Sequence, residues 1–368
     1  MKRREFVKGA GRLAVGGAAA AAGASTLAAP AIAQERTEWA MVMPWPKGAP
    51  GVGVNAERFV ERVNAMSGGR LTIKLYAAGE LVPPFESFDA VQSGTADVLH
   101  GTPYYWVGKS QAFNYFTTIP FGLSAIELPA WLTYGGGQAL WEEAYADFGL
   151  LPFYAGSSCT QAGGWFRREI NTWDDLQGLK IRMAGLGGEL LRRAGSVVVL
   201  LPPGEILPAM QSGAIDAAEW IGPWNDVAFG LQKVAKYYYV PAFHEPGPAL
   251  EISVNKAKFE ALPADLQAIV RYAAAATAQD TTTDFTYHNI QAFKPLLADY
   301  DIELRAFPDE IIARLGKINS EVLAEIGETN PLTKKIHASF MDFAAKAAHY
   351  QGAFEEVMLR QRRLVWQG

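Results

Sequence analysis

The chain has 368 residues, 33 of them basic and 38 acidic, and a formal net charge of −5. This excess of acidic residues argues against binding to nucleic acid or to anionic membrane surfaces. The single cysteine, Cys159, excludes an intrachain disulfide and argues against a cysteine-based metal site. We expect Cys159 to be a small packed residue.

The first 33 residues have the layout of an export signal. A basic start is followed by an apolar run of small residues and by an A-x-A cleavage pattern that ends at Ala33. The stretch RREF, which begins at Arg3, is typical of a twin-arginine signal; an uncleaved N-terminal anchor is the alternative. Removal of residues 1–33 would leave 335 residues, enough for two lobes, with 28 basic and 37 acidic side chains and a net charge of −9. We therefore predict a periplasmic protein.

The part of the chain that follows predicts a β-α-β-α-β order. A strand begins at Thr37, a helix covers "GVNAERFVERVNAMSGG", and "RLTIKLYAAGEL" alternates as a strand does. A second helix ends at Gly94, and the next strand leads to a turn at Pro103. This order predicts a mostly parallel sheet covered by helices.

The same order returns later in the chain. "GGWFRREI" and "LKIRMAG" are predicted strands, and "PPGEILPAMQSGAIDAAEW" is a helix-Gly-strand unit that resembles the earlier "GELVPPFESFDAVQSGTADVLHGTPYYW". In both units an aspartate, Asp97 or Asp216, follows the glycine of Gln-Ser-Gly by three residues, and we expect it to fix a turn. The repetition predicts two similar lobes facing each other. From about Pro263 the pattern is helical almost to the end.

Arg182 is the first candidate for a binding residue. It lies where a predicted strand runs into a glycine-containing turn, and sheet ends of this kind are where ligands bind in α/β lobes. An arginine there can bind a carboxylate through two parallel hydrogen bonds. The alternative is that Arg182 points outward from the strand, because Lys180 and Arg182 are two residues apart and therefore lie on the same face.

Glu219 is the second candidate, and its neighbours leave three interpretations open. The carboxylate lies between small residues and Trp220, where burial without a partner would be costly. It could pair with a buried arginine, act as a general base, or bind a metal ion. A base needs partner groups that the surrounding motif does not supply. A hard cation prefers oxygen ligands, among them carboxylates such as Glu219.

The runs "GGWFRREINTWDDLQGLKIRMAG" and "EILPAMQSGAIDAAEW" resemble the solute-binding proteins of tripartite ATP-independent periplasmic (TRAP) transporters. The resemblance implies a two-lobed α/β periplasmic binding protein fold with a cleft between the lobes and a C-terminal helical extension. We expect lobe I in residues 34–157 and 245–300, lobe II in residues 158–244, and the helical extension in residues 301–368.

Within this family the chain is most similar to the branch that binds 2-oxo and 2-hydroxy monocarboxylates with a metal cation. Gln161, "YYW" at 104–106, "AEW" at 218–220 and "HEPGP" from His244 carry this similarity. It implies that Arg182 binds the ligand carboxylate and that Na⁺ or Ca²⁺ is held by a set of residues that also contacts the ligand: Gln161, Glu219, the Trp220 carbonyl and, in a supporting role, Glu245. A solvated loop position is the alternative for Glu245.

Aromatic residues are the remaining candidates for the pocket wall. Tyr104, directly after the turn at Pro103, is expected to contact the ligand, whereas Tyr105 and Trp106 are expected in the core. Trp220 and Trp224 could line the pocket.

The predicted function is a periplasmic solute-binding subunit, not an enzyme, that delivers a small organic acid to membrane permease subunits. An exported metal-dependent enzyme and a ligand-sensing subunit are the alternatives, although common catalytic motifs are absent from the sequence. The resemblance also implies that a long C-terminal helix can cross to a partner chain. The helix near Phe340 to Val365 would then make a homodimer, or it would pack on its own lobe.

Overall fold

The computed structural model describes residues 36–366, so the predicted export signal in residues 1–33 lies outside the described residues. The described residues form eleven strands, which in chain order are β1 (Thr37–Val42), β2 (Leu71–Tyr76), β3 (Val98–Gly101), β4 (Leu150–Ser157), β5 (Gly164–Phe166), β6 (Lys180–Arg182), β7 (Val197–Val199), β8 (Ala217–Ala218), β9 (Tyr237–Tyr239), β10 (Ala249–Asn255) and β11 (Glu303–Arg305).

The α-helices of the same residues alternate with these strands in the first two thirds of the chain and dominate the last third. In chain order they are α1 (Val52–Met66), α2 (Ser87–Ser93), α3 (Phe113–Thr117), α4 (Glu127–Tyr134), α5 (Gly137–Ala146), α6 (Gly185–Arg193), α7 (Pro203–Ser212), α8 (Pro223–Phe229), α9 (Lys256–Glu260), α10 (Ala264–Asp299), α11 (Asp309–Gly327), α12 (Pro331–Ala353) and α13 (Glu355–Trp366). Among residues 36–366 no helix is long and apolar enough to cross a membrane.

Two separate sheets form the centres of two lobes, which confirms the predicted fold class. The first sheet has the order β2-β1-β3-β10-β4, and the second has the order β11-β9-β5-β8-β6-β7. Strands β2, β1 and β3 are parallel, as the β-α-β-α-β pattern predicts, but β10 runs antiparallel to both β3 and β4. The sheet is mixed because β10 enters it from the other lobe and not through a helical crossover.

The two aspartates of the repeated unit have equivalent roles in the two lobes. The Asp97 carboxylate accepts a hydrogen bond from the Ala40 amide of β1 at 2.7 Å, and the Asp216 carboxylate accepts one from the Lys180 amide of β6 at 3.1 Å. The backbone amide of each aspartate also donates to the carbonyl of the same strand residue. Each aspartate therefore fixes the turn that leads from a helix into the next strand, as predicted.

The chain crosses between the sheets in two short segments that are bonded to each other. The first crossing, residues 158–163, joins β4 to β5, and the second, residues 240–248, joins β9 to β10. The Gln161 amide donates to the Glu245 carbonyl at 3.1 Å, and the Ala242 amide donates to the Gln161 carbonyl at 2.9 Å. The two crossings thus form one hydrogen-bonded unit between the lobes.

The 36-residue helix α10 contacts both lobes, and the helical region that follows it is interrupted once. The α10 helix packs on β4 and α1 and also on α8, where the Trp224 amide donates to the side chain of Asn289. After α10 the chain adds β11 to the edge of the second sheet by pairing with β9. The sequence pattern predicted only helix in this region, because three residues on a sheet edge carry little periodicity.

The C-terminal helices divide into a packed part and an uncovered part. Helix α12 returns to the first lobe, where the buried Phe340 side chain packs against Tyr115 and Trp131. Helix α13 contains no buried residue, and its Leu364 and Trp366 side chains are each 80% exposed. The prediction that the helix near Phe340 packs on its own lobe is therefore correct for α12 and does not extend to α13.

Candidate functional site

The candidate site lies between the lobes, at the hydrogen-bonded crossings. Three groups of residues meet there: Arg182, Glu219 and Trp220 from the second lobe, Trp45, Tyr104 and Tyr105 from the first lobe, and Gln161, His244 and Glu245 from the crossings. All six residues that the sequence analysis proposed for ligand or cation binding are among them.

Arg182 and Glu219 form a buried ion pair within the second lobe. Arg182 ends β6 and is 1% exposed, so the predicted alternative of an outward-facing arginine is wrong. Its Nη1 donates to Glu219 Oε2 at 2.9 Å and to the Glu219 carbonyl at 2.6 Å. Arg182 is the last residue of β6, and Glu219 directly follows the neighbouring parallel strand β8. The predicted pairing of Glu219 with a buried arginine is therefore confirmed, and it joins two strands of one lobe.

The ion pair leaves polar atoms of both partners unused. Arg182 Nη2 and Glu219 Oε1 are buried and have no hydrogen-bond partner within the described residues. The Arg182 guanidinium also lies 5.6 Å from the centre of the Trp220 ring, a distance suited to a cation–π contact. An arginine with a free Nη2 can still bind a carboxylate supplied by a ligand.

The two crossings add more buried polar groups beside this pair. The Gln161 Nε2 donates to Ser158 Oγ at 2.7 Å, which leaves Gln161 Oε1 as an unpaired acceptor. Glu245 is 1% exposed with an unpaired Oε2, so the predicted alternative of a solvated loop acid is wrong. The neighbouring His244 ring has no partner at either nitrogen, and its Nε2 lies 3.9 Å from Glu219 Oε1.

Burial controls the protonation of these groups. It raises the pKa of Glu219 to about 8, and this effect exceeds the opposite effect of the Arg182 charge. It also raises the pKa of Glu245 to about 8, with a further rise from the nearby Glu219 charge. Burial lowers the pKa of His244 to about 4. Two carboxylates thus compete for one guanidinium in a region that excludes water.

The oxygen-rich part of the site fits a hard cation. Ligand atoms of Glu219, His244 and Glu245 lie within 4.8 Å of one another. Carboxylate and amide oxygens without partners, which Glu219, Glu245 and Gln161 offer, are the ligands that Na⁺ and Ca²⁺ prefer. A cation there would favour the ionised form of Glu219 and Glu245, whose pKa burial alone raises to about 8.

An aromatic wall separates a small chamber from a larger outer cleft. The chamber, ≈20 Å³ in volume, is bounded by Trp45, Tyr104, Tyr105, Trp220 and Gln161, and it has room for about one or two water molecules. Tyr104 and Tyr105 also line the outer cleft of ≈560 Å³, which extends between the lobes to α6 and α11. Tyr105 is a buried core residue, as predicted, and one side of it also lines the site.

The other aromatic candidates have structural surroundings. Trp106 donates from Nε1 to the Phe85 carbonyl at 3.0 Å and packs in the core, as predicted. Trp224 stacks on His288 of α10, with ring centres 4.3 Å apart, and does not border the chamber. Cys159 is half-buried at the first crossing, where its Sγ lies 3.2 Å from Thr286 Oγ1.

Two functional candidates were missing from the sequence prediction. Trp45 follows β1 and packs on Tyr105 and Trp220, with ring centres 5.7 and 6.2 Å away, while its Nε1 donates to His100 Nδ1. His244 was noted only as part of a motif. A proline-rich turn and a lone histidine give no periodic signal, although the position of His244 directly before Glu245 could have suggested it.

Comparison with known proteins identifies the family. The model of bacterial extracellular solute-binding protein family 7 matches residues 42–330. The chain belongs to this family. A monocarboxylate 2-oxoacid-binding periplasmic protein of Nostoc sp. is 40% identical over 305 residues, which is 83% of each chain.

Solved structures of family 7 proteins have the same fold. A TRAP transporter solute-binding protein of Bordetella bronchiseptica, described as a dimer with calcium and picolinate in one site, has a TM-score of 0.87 at 33% identity and covers 90% of this chain and 98% of its own. A TRAP periplasmic solute-binding protein of Pseudoalteromonas atlantica with bound sodium and pyruvate has a TM-score of 0.86 at 35% identity. The match covers 88% of this chain and 99% of the Pseudoalteromonas chain.

Family membership confirms the predicted class of function. Family 7 proteins are extracytoplasmic solute receptors of TRAP transporters, so the chain is a binding protein and not an enzyme. The alternative of an exported metal-dependent enzyme is thereby set aside.

The raised pKa values of Glu219 and Glu245 predict a pH-dependent stability. Because each folded-state pKa lies near 8 and the unfolded value near 4.5, the protonated carboxyls stabilise the fold fully below about pH 4.5, and this contribution is lost as pH rises through about 8. In cation-free buffer, the melting temperature should fall between pH 5 and pH 8, and Ca²⁺ or Na⁺ should restore it at pH 8. The melting temperature of Glu219→Gln should fall less steeply with pH than that of the wild type. Equal slopes for the two proteins would contradict the prediction.

Proposed function

We propose that this family 7 protein captures a 2-oxo or 2-hydroxy monocarboxylate together with Na⁺ or Ca²⁺ and delivers the acid to TRAP permease subunits. The observation that carries the proposal is a buried arginine, Arg182, whose Nη2 is unpaired beside two carboxylates with unpaired oxygens. Such a site is incomplete without an anion for the arginine and a cation for the carboxylates. The names of the similar proteins support the same pair of ligands.

The ligand carboxylate would bind to Arg182 Nη2, within reach of the chamber walls. Tyr104 borders both the chamber and the outer cleft. The pKa of its hydroxyl is raised well above the usual value by burial and then by the Glu245 charge, so the group keeps its proton and can donate a hydrogen bond. Trp220 would cover the arginine on one side and exclude water.

The cation would be held by Gln161 Oε1, the Glu219 and Glu245 carboxylates and the Trp220 carbonyl. When bound, a cation would supply a positive charge between the protein carboxylates and the ligand carboxylate. The chain's own contribution is to keep Gln161 Oε1, Glu219 Oε1 and Glu245 Oε2 buried and without other partners.

The proposed division of the chain follows the two crossings. Residues 34–157 and 245–300 form lobe I, residues 158–244 form lobe II, and residues 301–368 form the C-terminal extension, from which β11 joins the sheet of lobe II. A periplasmic location follows from an export signal in residues 1–33. Delivery to permease subunits is preferred over a sensing role because the similar structures are transporter proteins.

The uncovered helix α13 supports a homodimer. Its exposed apolar side chains are too numerous for a surface helix with no partner, and they continue the helical tail beyond the part that packs on its own lobe: Met358, Leu359, Leu364, Val365 and Trp366. The Bordetella bronchiseptica protein is described as a dimer. We propose that α13 packs against a second copy of the chain.

Arg182 substitutions test the anion site. Arg182→Ala should weaken 2-oxo acid binding by about 2–5 kcal/mol, because a buried charged contact is lost. Arg182→Lys should also bind weakly, since one ammonium group cannot both pair with Glu219 and donate to the ligand from the place of Nη2. Calorimetric titration with pyruvate checks this, with the exposed Arg168 replaced by alanine as the control. Wild-type affinity in Arg182→Ala would show that the carboxylate binds elsewhere.

Cation and acid should be thermodynamically coupled, which tests the proposed function as a whole. Each should raise the affinity of the other by the same factor, because coupling free energies are reciprocal. Titration of pyruvate in sodium, calcium and cation-depleted buffers measures this factor, and chelation should reduce the ligand's stabilisation of the fold in a thermal melt.

Glu219→Gln should lower the affinity for the cation directly, and it should lower the affinity for the acid because the two affinities are coupled. Glu251→Gln is the matched control, because Glu251 is equally buried with a pKa near 8 but lies in the first sheet, where Ser253 Oγ donates to it. The same pyruvate affinity in all three buffers would remove the cation from the proposal.

The dimer is tested by truncation of α13. Sedimentation velocity at micromolar concentration should show a dimer for the full mature chain and a monomer after removal of residues 355–368. Trp366→Ser with Leu364→Ser should weaken the dimer in the same direction, whereas a wild-type monomer would contradict the proposal.

A further inference from the structure

His244 is a buried imidazole that the proposed anion and cation contacts do not use. It is 1% exposed, and neither Nδ1 nor Nε2 has a hydrogen-bond partner within the described residues. A buried polar group without a partner costs free energy, and native proteins rarely keep two on one ring without a use. The ring lies beside the buried carboxyls, with Nε2 3.9 Å from Glu219 Oε1 and its ligand atom within 4.8 Å of those of Glu219 and Glu245.

The backbone around His244 holds the ring in this place. The Phe121 amide donates to the Phe243 carbonyl at 2.8 Å, the Thr118 hydroxyl donates to the His244 carbonyl at 3.4 Å, and the Gln161 amide donates to the Glu245 carbonyl at 3.1 Å. Three consecutive carbonyls are therefore occupied, so the segment has little freedom to turn the ring toward another partner.

Gly187 of α6 provides the space that the ring occupies. A Cβ atom at residue 187 would lie 2.7 Å from His244 Cβ and 2.8 Å from the ring atom Cδ2, closer than non-bonded carbons approach. The helix thus lacks a side chain where the imidazole enters the site. Any larger residue at this position would displace His244 from the interior space.

We propose that His244 contacts the oxygen at carbon 2 of the bound acid and so distinguishes 2-oxo and 2-hydroxy acids from acids without that oxygen. An imidazole can donate from one ring nitrogen and accept at the other, so it can pair with a keto oxygen or with a hydroxyl group. A site that hydrogen-bonds a ligand oxygen rejects the analogue without it, because the protein group is then left unpaired.

His244 is assigned to the organic acid and not to the cation on chemical grounds. Na⁺ and Ca²⁺ prefer oxygen ligands, and Gln161, Glu219 and Glu245 already provide unpaired oxygens. A ring nitrogen adds little to such a site, whereas it matches the polar oxygen beside the ligand carboxylate that Arg182 would hold. This inference rests on the proposed function and specifies the substrate class of the same site.

The test compares pyruvate with propionate, which has the same number of carbons and lacks the oxygen at carbon 2. In His244→Phe, pyruvate affinity should fall on the order of 10- to 100-fold, the effect of one lost buried hydrogen bond, while propionate affinity at millimolar concentration stays unchanged. His244→Gln, whose amide nitrogen can reach the place of Nε2, should regain most of the difference. Gly187→Ala should resemble His244→Phe because it displaces the ring.

Two controls separate a direct contact from other effects. His337→Gln removes an imidazole that lies in α12 and bonds to Tyr115, far from the chamber, and should leave both affinities unchanged. Ca²⁺ affinity measured without any acid should be the same in His244→Phe and the wild type. A fall in that Ca²⁺ affinity would make His244 a cation ligand and overturn the inference.

The outcomes distinguish this inference from the proposed function. Equal losses of affinity for pyruvate and propionate in His244→Phe, or no loss of either affinity, would overturn the role of His244. Pyruvate binding by the wild type would still support the proposed function in that case. Failure of the wild type to bind pyruvate, lactate and longer 2-oxo acids would overturn both. Thermal melts of the four variants in cation-containing buffer establish that each is folded.

Discussion

The structure depends on an imbalance of buried charge between its lobes. Two carboxylates, Glu219 and Glu245, lie in the same dry region as one guanidinium, Arg182. Transfer of a charge from water to such a region costs several kcal/mol, and one arginine cannot keep two acids ionised there, so burial raises the pKa of both carboxyls to about 8. The arginine is also only partly used, because its Nη2 has no partner. Folding therefore leaves a place for one positive and one negative charge, which is what a carboxylate ligand with a cation supplies.

This imbalance is maintained by backbone that leaves the side chains no other partner. The two crossings are bonded to each other through Gln161, Ala242 and Glu245, so their polar side chains project from one fixed unit. In α6, Gly185 has a φ of 57°, and a Cβ atom at this position would lie 3.3 Å from the Tyr104 ring. Gly187 of the same helix has no Cβ atom either and so leaves room for the His244 ring. Two glycines of one helix thus allow Tyr104 of the first lobe and His244 of the second crossing to enter the site.

The sequence predicted the lobes and the charged residues of the second lobe well, because both have local signals. Asp97 and Asp216 occur in a repeated unit, and Arg182 and Glu219 follow recognisable strands. His244 and Trp45 could not be placed in the same way, since they reach the site only through the long-range closure of the two lobes. The strand β11 was missed for a related reason: its three residues become a strand by pairing with β9, not by their own pattern.

The repeated unit occurs in both lobes, but the lobes contribute different chemistry to the site, and this difference bears on the closure of the lobes. Lobe II contributes charge through Arg182 and Glu219, whereas lobe I contributes aromatic surface through Trp45 and Tyr104. Closing the aromatic surface over uncompensated charges removes water from them and is unfavourable. Closing it over a neutralised site with ligand and cation buries the same apolar surface without that cost. Differential affinity of the ligands for the closed arrangement is then what shifts the lobes toward closure. Under the proposed function, closure would thus depend on both ligands together, which is the property a receptor needs before it presents its cargo to a membrane partner.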